Sequence, residues 1–230
     1  MKIVIQCAGA KNESAPSLCL HGNPLKFVGN PRAGALDCIC PWDTIPGGNA
    51  LTWIDCVRAF NNLGNSPAAV FRAMDITPIH HEDLYQCGAL YSPHIYEQLL
   101  GKFGLVDVYI LSAGWGLIRA DRFVPNYNVT FSNAQGVPTS ARVTPDERAG
   151  HPSIDEGILG TDEIHLFISQ KYLAYWNLTF GPQLATRKII LHWYKPSVFS
   201  TVQVETHDCR GRKTNWHYTA AQQFLVAENR

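Results

Sequence analysis

Four short apolar runs stand out along the chain: 2–7 (KIVIQC), 106–112 (VDVYILS), 164–169 (IHLFIS) and 188–193 (KIILHW). Each is rich in Ile, Val and aromatic residues, which predicts a buried strand. A weaker fifth strand is predicted over 202–205. Helical spacing lies between them. Leu51, Ile54, Val57 and Phe60 predict a helix over 51–63 with Asn49 as its cap, and 90–103 predicts another that stops at Gly104. Further helices are expected over 172–178 and 218–228. Strands alternating with helices imply an α/β fold with a mostly parallel central sheet flanked by helices. Residues 11–50 differ, being rich in Gly, Pro and Asn with only brief apolar runs. They predict long irregular structure, of the kind that carries function or moves. No repeat, low-complexity tract or linker divides the chain, so 1–230 reads as one domain.

Composition narrows the class. With 46% hydrophobic and 17% charged residues the chain is globular rather than disordered. Its longest apolar stretches reach about eight residues against the roughly twenty of a bilayer span. The first residues, Met1-Lys2-Ile3-Val4-Ile5, lack a charged segment followed by a long apolar one, so no secretory signal is expected. Seven cysteines without a repeated spacing favour reduced thiols and a cytoplasmic location. Cys38-Ile39-Cys40 lacks the two-residue gap of a zinc knuckle, and no metal or other cofactor is predicted.

Net charge is zero, but its distribution is uneven. Arg187, Lys188, Lys195, Arg210, Arg212 and Lys213 face only Glu205 and Asp208 over 187–213. Over 146–163, six acids face Arg148. This is either a basic face for phosphates or a solvated tail and a solvated loop.

Candidate chemistry concentrates after the strands, where α/β sheets bind ligands. After the first strand come Gln6-Cys7-Ala8-Gly9-Ala10-Lys11-Asn12, small residues that admit a ligand, then a cation and an amide. After the second come Ser112, Trp115 between two glycines, Arg119, Asp121, Tyr127 and Asn128. Aromatics interleaved with amides and a guanidinium suit a nucleobase, although Trp and Tyr also serve as core residues. After the third strand, Lys171 opens a helix where a phosphate could sit. His80-His81 follows no convincing strand. Neither does His151-Pro152-Ser153, a three-residue run that resembles a motif of uracil-DNA glycosylases and carries no assignment. The chain contains no P-loop, nucleophile elbow, metalloprotease helix or dinucleotide fingerprint.

The run 109–118 (YILSAGWGLI), with 125–130 (PNYNVT) after it, resembles a family of bacterial proteins related to the peroxide-stress protein YaaA. The opening strand ending in Cys7 and followed by Lys11, the segment from Tyr91-Ser92-Pro93 to Phe103, and Gln170-Lys171-Tyr172 are similar to elements of that family. The likeness is dense from about residue 90 to 132. It implies a uracil-DNA-glycosylase-like α/β fold and a DNA-associated role, with some such folds excising modified bases in defence against phages. The chain departs from the family at Asn128, where an Asp is usual, which puts an acidic general base there in doubt.

The leading expectation is therefore a DNA glycosylase acting on a flipped, modified base. Asp121 or Asn128 would position water, and Trp115 or Tyr127 would stack on the base. Gln6 and Ser112 would read its edge, with Lys11, Arg119 and Lys171 holding phosphates or the leaving base. DNA with modified bases is the expected partner, with no membrane and no obligatory protein partner. Two rivals stand beside it: a DNA-binding stress protein without chemistry, and an enzyme processing nucleosides or deazapurines as free ligand or in tRNA.

Overall fold

A computed structural model describes residues 1–12, 18–20, 23–31, 38–45, 50–63, 84–155, 157–194, 203–209 and 215–228. Its centre is a six-stranded sheet: β1 (Lys2–Gln6), β2 (Val108–Ser112), β3 (Gly116–Arg119), β4 (Glu163–Phe167), β5 (Lys188–Trp193) and β6 (Gln203–Thr206). From edge to edge the order is β6-β5-β4-β1-β2-β3. All neighbours pair in parallel except β2 and β3. The parallel strands need helical crossovers, so apolar side chains point both ways and the β-branched runs are buried almost throughout.

The order in which strands are added reverses beside β1, which has β2 on one side and β4 on the other, both parallel to it. Such a switch opens a crevice beyond the strands' carboxyl ends.

The antiparallel β3 departs from the sequence expectation. Residues 113–115 close a hairpin, with Ser112 opposite Gly116 and Tyr109 opposite Arg119. Gly116 has φ +76°, and a Cβ there would collide with Ser153 Oγ and lie 2.6 Å from Arg148 Nη2. Only glycine fits this reversal.

The helices are α1 (Trp53–Leu63), α2 (Ile95–Phe103), α3 (Pro145–Ala149), α4 (Gln170–Thr179) and α5 (Trp216–Ala227). The expected cap Asn49 lies outside the described residues. At the start of α1, Thr52 Oγ1 accepts from the Asp55 N–H and Asp55 accepts from the Thr52 N–H, a reciprocal cap. The single helix expected over 90–103 is two pieces, a turn at Cys87–Leu90 and then α2. Pro93 disfavours helical geometry at Ser92, and Tyr91 instead bridges Lys11.

α2 and α5 lie together, Phe103 stacking on Phe224 at 5.9 Å, and Phe224 packs on the sheet at Phe167 and His192. The short strand Lys26–Val28 pairs with Tyr127–Asn128 on one side and Cys38–Ile39 on the other. This brings the chain after β3 back toward the carboxyl ends of the parallel strands. Among the described residues, no helix is long and apolar enough to cross a membrane.

Candidate functional site

A cavity of about 680 Å³ opens at the carboxyl ends of β1 and β4. Its floor is Gln6 to Gly9, with Ser169, Lys171 and Tyr172 on one side, 128–138 on another, and the first turn of α5 across the top. The two strand ends are stapled together. Gln6 Oε1 accepts the Ser169 N–H at 2.6 Å, and Cys7 Sγ meets the Tyr172 hydroxyl at 3.0 Å. The Tyr96 hydroxyl donates to the Gln6 carbonyl at 2.6 Å, which fixes α2 to the same floor.

Lys11 reaches in over an aromatic face. Its Nζ lies 4.2 Å from the Tyr127 ring centroid, a cation–π contact. Burial lowers its pKa, and the nearby Cys7 partly opposes that fall. Beneath it is a closed hydroxyl network: Ser112 Oγ donates to Tyr127 Oη at 2.8 Å, and Tyr127 Oη meets Tyr91 Oη at 2.6 Å. Ser112 Oγ also accepts the N–H groups of Gly114 and Trp115. Burial pushes the Tyr127 hydroxyl well above the usual phenol range. The network is a rigid base for Lys11 rather than a ligand contact.

His217, in the first turn of α5, lines the same cavity. It is only 2% exposed, yet neither ring nitrogen has a hydrogen-bond partner. Its ring pKa is pushed down to about 3 by burial, so it is neutral at physiological pH and offers one N–H donor and one lone pair. Buried polar groups are usually satisfied, so the ring lines the cavity with hydrogen-bonding capacity that the described residues do not use. Among the described lining residues no Asp or Glu appears, and Lys11, Lys171 and His217 supply the ionisable nitrogen groups.

Of the residues the sequence proposes, Gln6, Lys11, Asn128 and Lys171 line the cavity. Gln6 spends its carbonyl oxygen on Ser169, and Lys171 Nζ donates to the Phe131 carbonyl at 2.7 Å. Ser112 and Tyr127 lie below, in the hydroxyl network.

The roles expected of Trp115, Arg119 and Asp121 are corrected, and the run 151–153, which had none, is placed. Trp115 is fully buried against Phe27 and Tyr127, so its ring cannot stack on a ligand. Arg119 and Asp121 are carried away by the β3 hairpin toward the amino ends of the parallel strands. There they form a two-bond pair, Nε–Oδ1 2.6 Å and Nη2–Oδ2 2.8 Å, and Asp121 cannot hold water in the cavity. His151-Pro152-Ser153 wraps buried Arg148 with backbone carbonyls from His151 and Pro152, a packing role.

His80-His81 and, of the basic cluster, Lys195, Arg210, Arg212 and Lys213 lie outside the described residues. Arg187 and Lys188 are paired with Asp162 and Glu163. Cys7, Tyr172 and His217 also line the cavity, and the sequence assigns none of them a role. The available signal for the last was a histidine flanked by aromatics, Trp216-His217-Tyr218, just before the expected helix start.

No protein-family model matches the chain, and no curated protein does.

Proposed function

We propose that the cavity receives a base swung out of a DNA strand and that the protein is a DNA glycosylase acting on modified bases. The observation that carries this reading is the cavity at the carboxyl ends of β1 and β4, lined by Lys11, Asn128, Lys171 and His217, the last a neutral imidazole whose two buried nitrogens have no hydrogen-bond partner. A nucleobase edge offers the complementary acceptors and donors. The uracil-DNA-glycosylase-like fold and the defence role implied by the family resemblance belong to the same proposal, and the crevice between β1 and β4 supports it.

In the reaction the bond between C1′ of the sugar and the base nitrogen breaks, and its electron pair leaves with the base. The oxocarbenium-like sugar then takes a water oxygen, and the proton that water gives up passes to the departed base anion, which leaves as the neutral base. His217 donates a hydrogen bond to the departing base, while the Lys11 ammonium stabilises the negative charge it carries. Asn128, at the cavity rim, orients the water. Lys171 and the amino end of α4 lie where a flanking phosphate would pass. With no carboxylate among the described lining residues, rate depends on the leaving group. A modified base that leaves as a stabilised anion is therefore favoured over an ordinary one.

The same lack of a carboxylate favours one second reading, a nucleic-acid-binding protein without chemistry. One experiment separates them. The protein is incubated with plain DNA and with phage DNA carrying modified bases, and alkali then reveals abasic sites. We expect breaks in the modified DNA alone, reduced at least about a hundredfold by His217→Phe and by Lys11→Met. Intact DNA retained in a salt-dependent way would replace the glycosylase with the binding protein. Indifference to DNA would overturn both.

A further inference from the structure

A second cluster of histidines lies outside the cavity, between the sheet and α5. Four hydrogen bonds run through it in series. His165 Nε2 meets Glu163 Oε1 at 2.9 Å, and His165 Nδ1 meets His192 Nε2 at 2.8 Å. His192 Nδ1 then meets His207 Nε2 at 2.7 Å, and His207 Nδ1 meets Gln223 Oε1 at 3.2 Å. Gln223 cannot turn its amide around without loss, because its Nε2 donates to the Asp208 carbonyl at 2.7 Å. Strand geometry sets this up. His192 is opposite Glu205 across the β5–β6 ladder, and His207 lies two residues beyond Glu205 on the same face.

Both ends of the series are acceptors, a carboxylate and an amide oxygen. A neutral imidazole carries one N–H, so three rings supply three protons for four bonds. With one proton on each ring, three of the bonds close: His165 to Glu163, His192 to His165, and His207 to Gln223. The bond left without a proton is the one between His192 and His207. There two bare lone pairs face each other, and a carboxylate stands beside them. Glu205 lies 3.6 Å from His192 Nδ1 and 3.7 Å from His207 Nε2. One further cation completes the series, either a fourth proton or a metal ion held between the two nitrogens and the carboxylate.

We infer that His192 Nδ1, His207 Nε2 and the Glu205 carboxylate form a binding site for a divalent transition-metal ion of the zinc class. Two imidazole nitrogens and one carboxylate oxygen are a common ligand set for such ions, and the candidate ligand atoms all lie within 4.8 Å of one another. Tetrahedral bonding at about 2.0 Å needs the two nitrogens roughly 3.3 Å apart, so the rings spread by about 0.6 Å on binding. The surrounding groups fit the demand that a ligand histidine be held by its other nitrogen. His192 is held by His165, which Glu163 holds in turn, and His207 is held by Gln223. His192 and His207 are buried while Glu205 is about half exposed, so the ion enters from solvent and keeps an open position there.

The site joins β5 to the edge strand β6 and, through Gln223, to α5. Its role is to clamp that edge and seat the helix that presents His217. This inference is independent of what the cavity binds.

The test uses the full chain, stripped with chelator and dialysed. Zinc is titrated by calorimetry, and cobalt(II) is added to a second sample to read its visible spectrum. We expect one zinc per chain, a raised melting temperature in excess zinc, and a cobalt spectrum without the intense thiolate charge-transfer band. Glu205→Gln alters an accessible side chain and is expected to weaken binding about tenfold or more, with His207→Gln weakening it further. Absence of stoichiometric binding overturns the site. So does a thiolate band, or affinity unchanged in both variants, either of which would place the metal elsewhere.

Discussion

The two histidine regions of this molecule are built from the same side chain under the same pressure, and they answer it differently. His192 and His217 are both buried, and burial holds both rings neutral, with pKa values of about 2 and about 3. His192 has a partner at each nitrogen, from β4 on one side and the end of β6 on the other. His217 has none, although it is as deeply packed. Buried polar groups are normally paired, so His192 is read with the linked histidine series that would hold a metal ion, and His217 with the cavity it lines. The contrast separates the two proposals, a linked series that would hold a metal ion and a lone ring that would meet a base.

The sharpest way to break this contrast is to remove each ring and measure stability by urea unfolding. His192→Leu leaves His165 and His207 each short of a buried partner and is expected to cost about 3 kcal/mol or more. His217→Phe leaves no protein group unsatisfied and is expected to change stability by less than about 1 kcal/mol, in either direction. Equal large losses would make His217 a framework residue and remove the argument for a ligand.

A smaller effect sharpens the same point through pH. Both rings titrate lower in the folded chain than the ordinary value of 6.5. The unfolded chain therefore binds protons that the folded chain refuses. Stability present above about pH 6.5 is lost as pH falls toward those depressed values, by up to about 1.4 kcal/mol per pH unit for each ring. In chelator, His217→Phe should flatten this acid limb by about one proton between pH 6 and 4. An unchanged slope would mean that the ring is not held neutral.

The smallest effect belongs to the far end of the sheet. Asp121→Asn breaks a half-exposed ion pair and is expected to cost no more than about 1 kcal/mol, with abasic-site formation unchanged. Loss of abasic-site formation with stability intact would return Asp121 to the site.

Much of the fold was legible in the sequence because its strands are dense in β-branched residues. The sequence runs at 2–7, 164–169 and 188–193 lie within a residue or two of β1, β4 and β5. The run at 106–112 starts two residues before β2, since Val106 is exposed and the ladder begins at Val108. The site was half legible. Gln6, Lys11, Asn128 and Lys171 follow strands and converge, whereas Trp115, Arg119 and Asp121 were misplaced by one local event. The turn at 113–115 folds into an antiparallel hairpin, and composition alone does not distinguish such a hairpin from a ligand loop. His217 was missed because α5 begins two residues earlier than its apolar pattern suggests, so the histidine reads as linker rather than first turn. His165, His192 and His207 were silent for another reason. Each stands alone in its own stretch of chain, and only the sheet register brings them into line.

The most direct test of the central claim is nuclear magnetic resonance of the His217 ring nitrogens, titrated with an oligonucleotide carrying a modified base. The account predicts that the ring stays neutral in the free protein at pH 7 and that both nitrogen resonances move on saturation as they gain partners. The resonances of the partnered rings of His165 and His192 should stay in place. Saturating DNA that leaves the His217 nitrogens unmoved would contradict the account, because the base would then lie somewhere other than this cavity.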